Sequence, residues 1–192
     1  VIPAGWNRAS KTWRRGIPIG LLIGLLAPAL VSADAGHGEL GGYRLGDRYP
    51  LNADTQRQTE PDGSLRIIAQ APAKPADIDT VYLYLTPGDY TIGKIVLHRS
   101  FADLAAAEAL ATDYQDRLEA LYAGWEQLPA PVPMPKTGGA MLSHLRQGPY
   151  ALIVFYRGTE PGAEMAVELE YESASPERQA WKAQLRPATT AP

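Results

Sequence analysis

The chain has no cysteine, and its 192 residues include only two phenylalanines and three methionines. Without a thiol there is no disulfide framework, no thiolate nucleophile and no sulfur ligand for a metal. Lipid attachment to a cysteine behind an export signal is excluded for the same reason. Positive charge is scarce beyond the N-terminus, because four of the 18 Lys and Arg residues (Arg8, Lys11, Arg14 and Arg15) fall in the first 15 positions. The remaining 14 face 21 Asp and Glu, a net charge of about −7 that argues against nucleic acid or an anionic lipid surface as main partner. Long apolar runs are missing too. Ile17–Val31 is the longest, broken by Pro18 and Pro28 and shorter than the ~20 residues that a bilayer span needs.

Sequence motifs for chemistry are equally sparse. There is no G-x-S-x-G, no H-E-x-x-H, no P-loop and no Ca²⁺ loop. Gly36-His37-Gly38-Glu39-Leu40-Gly41 spells G-x-G-x-x-G, but dinucleotide binding needs a strand before it and a helix after it. Neither is expected here. Ser143 and His144 are neighbours in an expected strand, so they face opposite sides and cannot act as nucleophile and base. The histidines His37, His98 and His144 form no paired ligand pattern, and no metal or cofactor is expected.

What is present begins with an address. The basic cluster, the apolar run and the small residues at Val31-Ser32-Ala33 or Ala33-Asp34-Ala35 have the layout of a secretory signal peptide. We expect residues 1–35 to be that signal, cleaved after Ala33 or Ala35, and the protein to be periplasmic or extracellular. The alternative is an uncleaved membrane anchor. Residues 36–42 are expected as a flexible leader, 43–186 as a single α+β domain, and 187–192 as a disordered tail.

Short alternating segments predict strands at Tyr43–Tyr49, Leu65–Gln70, Val81–Leu85, Tyr90–His98, Met141–Arg146, Tyr150–Arg157 and Met165–Tyr171. Pro87-Gly88 predicts a type II turn between the third and fourth of these. Ala71–Ala76, with two prolines, reads as a linker, and the alternating prolines from Pro129 to Pro135 as an extended crossover. One long helix follows Ser100 as N-cap. Its apolar stripe is Leu104, Ala107, Ala111, Tyr114, Leu118, Leu121 and Trp125, and Gly124 ends it. A short helix opens at Ser175-Pro176 and runs through Leu185. The expected architecture is an antiparallel sheet of about five to seven strands packed by one long helix, a two-layer ββ-α-ββ arrangement.

Two groups of residues invite a function. Tyr outnumbers Phe ten to two, and Tyr82 and Tyr84 share a strand face opposite Val81, Leu83 and Leu85. If the helix covers the Val/Leu face, the tyrosines form an exposed platform; otherwise they are core. Glu164, Glu168, Glu170 and Glu172 alternate with Met165, Val167, Leu169 and Tyr171. Carboxylates two apart on one face lie ~7 Å from each other, a spacing open to acid–base use, while solvated Glu on a wet strand face is the simpler account. The composition therefore predicts a non-catalytic exported domain that binds a protein or envelope component, with Tyr82, Tyr84, Glu164, Glu168 and Glu170 as its binding residues. A small carboxylate-dependent envelope hydrolase and a membrane-anchored periplasmic domain are the alternatives.

Overall fold

The computed structural model describes residues 38–70 and 74–185. The expected signal, the first residues of the leader, the first half of the linker and the expected tail lie outside the described residues. The elements run β1 (Glu39–Leu40), β2 (Tyr43–Arg44), β3 (Arg57–Thr59), β4 (Leu65–Ala69), β5 (Thr80–Leu85) and β6 (Ile92–Phe101), then α1 (Leu104–Leu121). There follow β7 (Glu126–Gln127), β8 (Val132–Met134), β9 (Gly139–Gln147), β10 (Tyr150–Gly158), β11 (Ala163–Tyr171) and α2 (Pro176–Leu185). Nine strands form one antiparallel sheet in the order β3-β4-β5-β6-β11-β10-β9-β7, with β8 also paired to β9; β1 and β2 make a separate two-stranded ribbon.

Period-two alternation decides which face is core. Val81, Leu83 and Leu85 on β5, Ile95 and Leu97 on β6, Met165, Val167 and Leu169 on β11, and Leu152 and Val154 on β10 are all at most 1% exposed. They meet Ala107, Ala111, Tyr114 and Leu118 of α1 in one cluster. Ala at two of these helix positions lets α1 lie close on the strands. The architecture is thus α+β, with the long helix on the Val81/Leu83/Leu85 face.

Several local expectations are corrected. Three short strands, β3, β7 and β8, enlarge the sheet beyond seven; two or three residues carry no readable alternation. β8 lies inside the proline run because Val132–Met134 pairs with Gly139–Met141. Of the expected strand at Tyr43–Tyr49 only β2 forms, and Leu40 is buried at 2% exposure in β1, so the leader is docked from Glu39 on. Ser100 does not cap α1; it belongs to β6, where its N–H donates to Asp79 Oδ2 at 3.1 Å. Asp103 is the cap, accepting from Ala106 N–H at 2.9 Å.

The other end of the helix moves as well. The Tyr122 N–H closes it on the Leu118 carbonyl, which leaves Gly124 and Trp125 outside and Leu121 47% exposed. Trp125 instead stacks edge-on against Tyr122, centroids 4.8 Å apart. In the β5–β6 hairpin the positive φ falls on Tyr90 (60°), not on Gly88. The buried Thr86 explains this: its hydroxyl donates to the Asp89 carboxylate and accepts from Thr91 N–H, pulling the turn further along the chain.

α2 opens where expected, with Ser175 Oγ accepting from Arg178 N–H at 3.0 Å. It crosses the end of the sheet where β6 begins. Trp181 covers Gly93, at which a Cβ would meet the indole at 1.9 Å, and its Nε1–H points to the Thr91 carbonyl. No helix among the described residues is long and apolar enough to cross a membrane.

Candidate functional site: the open sheet face

Because α1 takes one face of the sheet, the other carries no helical layer among the described residues. Strand register lays out its side chains in rows. Ile68, Tyr82, Val96, Glu168 and Ile153 are successive neighbours across β4, β5, β6, β11 and β10. The next row along the strands reads Thr80, His98, Ala166, Phe155 and Met141. The row on the opposite side reads Arg66, Tyr84, Lys94, Glu170 and Ala151. Tyr82, Tyr84, Glu164, Glu168 and Glu170 all lie on this face, half-buried. Glu172 does not join them; it lies beyond β11, its N–H on the Pro149 carbonyl.

The relief of the face comes from residue size. Val96 and Ala166 sit on the two central strands and form a low floor. Tyr82 and Tyr84 rise from β5 on one side, Phe155 and Arg157 from β10 on the other, enclosing a recess of about 120 Å³. Three strand spacings separate those walls, ~14 Å between backbones.

Every carboxylate in the groove has a cationic partner. Glu164 lies 3.0 Å from His98 Nε2 through one oxygen and accepts from Arg157 Nε at 2.5 Å through the other. Lys94 Nζ donates to Glu168 at 2.6 Å, and Arg178 of α2 reaches Glu170 at 3.3 Å. Three cations also lie over rings: Arg66 over Tyr82, Lys94 over Tyr84 and Arg157 over Phe155, at 5.2–5.4 Å from the centroids. Their aliphatic arms cover apolar surface while the head groups stay polar.

Two groups have displaced acidities. The His98 hydrogen bond, opposed by burial and joined by Arg157, holds the Glu164 carboxyl below the usual carboxylate range. That direction suits a permanently charged anion rather than a general acid, whose pKa must be raised. Burial pushes the Tyr84 hydroxyl up, against the pull of Lys94 and Arg66. Tyr84 stays a neutral donor and acceptor.

The other sequence candidates are not brought together. β11 and β10 separate His98 on β6 from His144 on β9, so these two do not share a site, and His37 lies outside the described residues. Among the described residues no cluster of His, Asp and Glu could hold a metal ion. Ser143 is fully buried on the helix side, and His144, opposite Ile153, is on the other.

Sequence reading missed Lys94, His98, Phe155 and Arg157. The signal was available as parity: Lys94-Val96-His98 and Ile153-Phe155-Arg157 each keep one face of a strand. Comparison with protein-family models, curated proteins and solved structures gives no match for this chain.

Proposed function

We propose that this chain is an exported, non-catalytic binding module that engages a protein or envelope component through the open sheet face. The observation that carries the reading is the side on which α1 packs. With the helix over Val81, Leu83 and Leu85, the pair Tyr82 and Tyr84 stands beside Glu164, Glu168 and Glu170 on a face that no helix among the described residues covers. Amphipathic rings at a half-buried surface are the side chains that interfaces favour. The carboxylates are ion-paired, and the acidity of Glu164 is displaced away from the acid role that a hydrolase would need.

The test is capture from the native envelope with the immobilised full chain and with Tyr82→Ala/Tyr84→Ala, both checked for a cooperative thermal transition. We expect a partner retained by the parent chain and lost by the folded variant. No partner, or one that binds both alike, would return the tyrosines to a purely structural role. Export is tested separately by sequencing the N-terminus of the processed protein, expected to begin at Asp34 or Gly36.

A further inference from the structure

We propose that residues 186–192, the chain beyond α2, add to the sheet as a strand antiparallel to β3 along its outer edge.

The two sides of the sheet end differently. Where β8 lies on β9, Val132, Pro133 and Met134 face Met141, Ala140 and Gly139. Proline has no N–H, so Pro133 and Ala140 cannot exchange a pair of hydrogen bonds, and Val132 and Met134 turn their backbone groups toward β9. Pro131, Pro133 and Pro135 turn theirs outward, and β8 offers no donor to an incoming strand. β7 turns out only Gln127, because the Leu128 N–H already donates to the His144 carbonyl in the same register.

On the other side, the Glu60 N–H donates to the Ser64 carbonyl at 2.8 Å, which fixes the parity of β3. Glu60 and Gln58 point their backbone groups at β4; Arg57 and Thr59 point theirs away. Among the described residues no strand lies beyond them, and all three side chains of β3 are exposed. This edge has both donors and acceptors to give.

The end of α2 is delivered to it. The Leu185 carbonyl lies 2.7 Å from where a Cβ on Gly63 would stand, and the Gly63 N–H donates to the Glu60 carbonyl at 2.9 Å in the β3–β4 turn. Chain continuing from Leu185 therefore starts at the turn, beside the head of β3. It reads Arg186-Pro187-Ala188-Thr189-Thr190-Ala191-Pro192. Seven extended residues reach ~23 Å, against ~10 Å for the three of β3. The first proline selects a register. With Pro187 opposite Glu60, whose backbone already serves β4, its missing N–H leaves nothing unpaired. Ala188 then exchanges two hydrogen bonds with Thr59 and Thr190 two with Arg57, while Thr189 lies beside Gln58. Residues 188–191 carry no charge, and threonine suits a strand. Tethering gives this segment an effective concentration on the order of millimolar at the edge, ahead of an untethered strand.

The test is NMR hydrogen exchange at the Arg57 and Thr59 amides. In the full chain both are expected to exchange roughly tenfold more slowly than in a chain ending at Leu185. A cross-strand NOE is expected between the Hα atoms of Thr189 and Gln58. Two proline variants test the register. Thr190→Pro removes a donor that faces β3 and should return Arg57 to the rate of the shortened chain. Thr189→Pro alters a residue that faces outward and should leave Arg57 protected. Protection of the Leu83 and Leu97 amides verifies that each variant keeps the fold. Equal exchange of Arg57 and Thr59 with and without residues 186–192, or equal effects of the two prolines, overturns the proposal. Protection that grows with protein concentration places a second copy on β3 and overturns it likewise.

Discussion

Tyr114 is fully buried on the inner face of α1, and its hydroxyl reaches out of the core to a single carboxylate. It donates to Asp77 Oδ1 at 2.8 Å, in the segment leading to β5, while Arg99 holds the Asp77 carbonyl at 2.7 Å. Burial, reinforced by the facing Asp77 carboxylate, raises the tyrosine pKa far above its ordinary value. The hydroxyl therefore never ionises in the working range, and the bond fastens the approach of β5 to the helix. Removing only the oxygen tests this. Tyr114→Phe is expected to cost about 1–2 kcal/mol, since Asp77 loses a close donor, whereas Tyr114→Ala should cost about 3–5 kcal/mol through the cavity. Urea denaturation of both variants measures the difference. A Tyr114→Phe variant as stable as the parent chain would show that the hydroxyl contributes nothing.

At the scale of elements, α2 is positioned by one absent side chain. Gly93 sits at the irregularity where the β5–β6 register shifts, and the indole of Trp181 occupies the space that a Cβ would fill. Gly93→Ala is expected to displace Trp181 and lower stability by about 1–3 kcal/mol. Indole fluorescence and the denaturation midpoint report it, and an unchanged midpoint would mean that α2 docks without this contact. Other elements differ in how openly the sequence declares them. The alternation of β11 is readable because five apolar residues (Ala163, Met165, Val167, Leu169 and Tyr171) and three Glu keep opposite parity over nine positions, with Ala166 the one exception. β3, β7 and β8 are too short to show a period, and the β5–β6 turn is decided by the Thr86 side chain rather than by Pro87-Gly88. Which β5 face the helix covers is not readable, because tyrosine is at home in core and surface alike. The pairing of His98 with Glu164, 66 positions apart, depends on the register of β6 against β11. No local pattern announces that register.

For the whole molecule, acid should be the sensitive direction. The carboxyl of Glu164 is held low by the His98 bond, against burial and with Arg157, and that of Asp89 by hydrogen bonds from Thr86 and Thr91. A carboxyl whose folded pKa is depressed contributes stability that is complete above its unfolded pKa, ~4.3 for Glu. That stability is lost as pH falls through the folded value. The melting temperature is therefore expected to be flat above about pH 5 and to drop below about pH 4. Glu164→Gln should soften the drop without removing it, since Asp89 remains. A variant with the same acid limb as the parent chain would show that the Glu164 cluster makes no pH-dependent contribution.

The pairing of β6 with β11 divides the sheet into two locally wound pieces. β3 to β6 are successive neighbours on one side, and β11, β10 and β9 on the other, while α1 and four strands of chain intervene between the two edges that meet. Each hairpin within a piece closes over at most ten residues, but the β6–β11 seam must bring together positions more than 60 apart and bears the largest loop-closure cost in the sheet. The groove straddles this seam, one wall on each piece. A molecule gripping both walls is therefore a stitch across the joint, holding shut the one line along which the sheet could part into two intact halves.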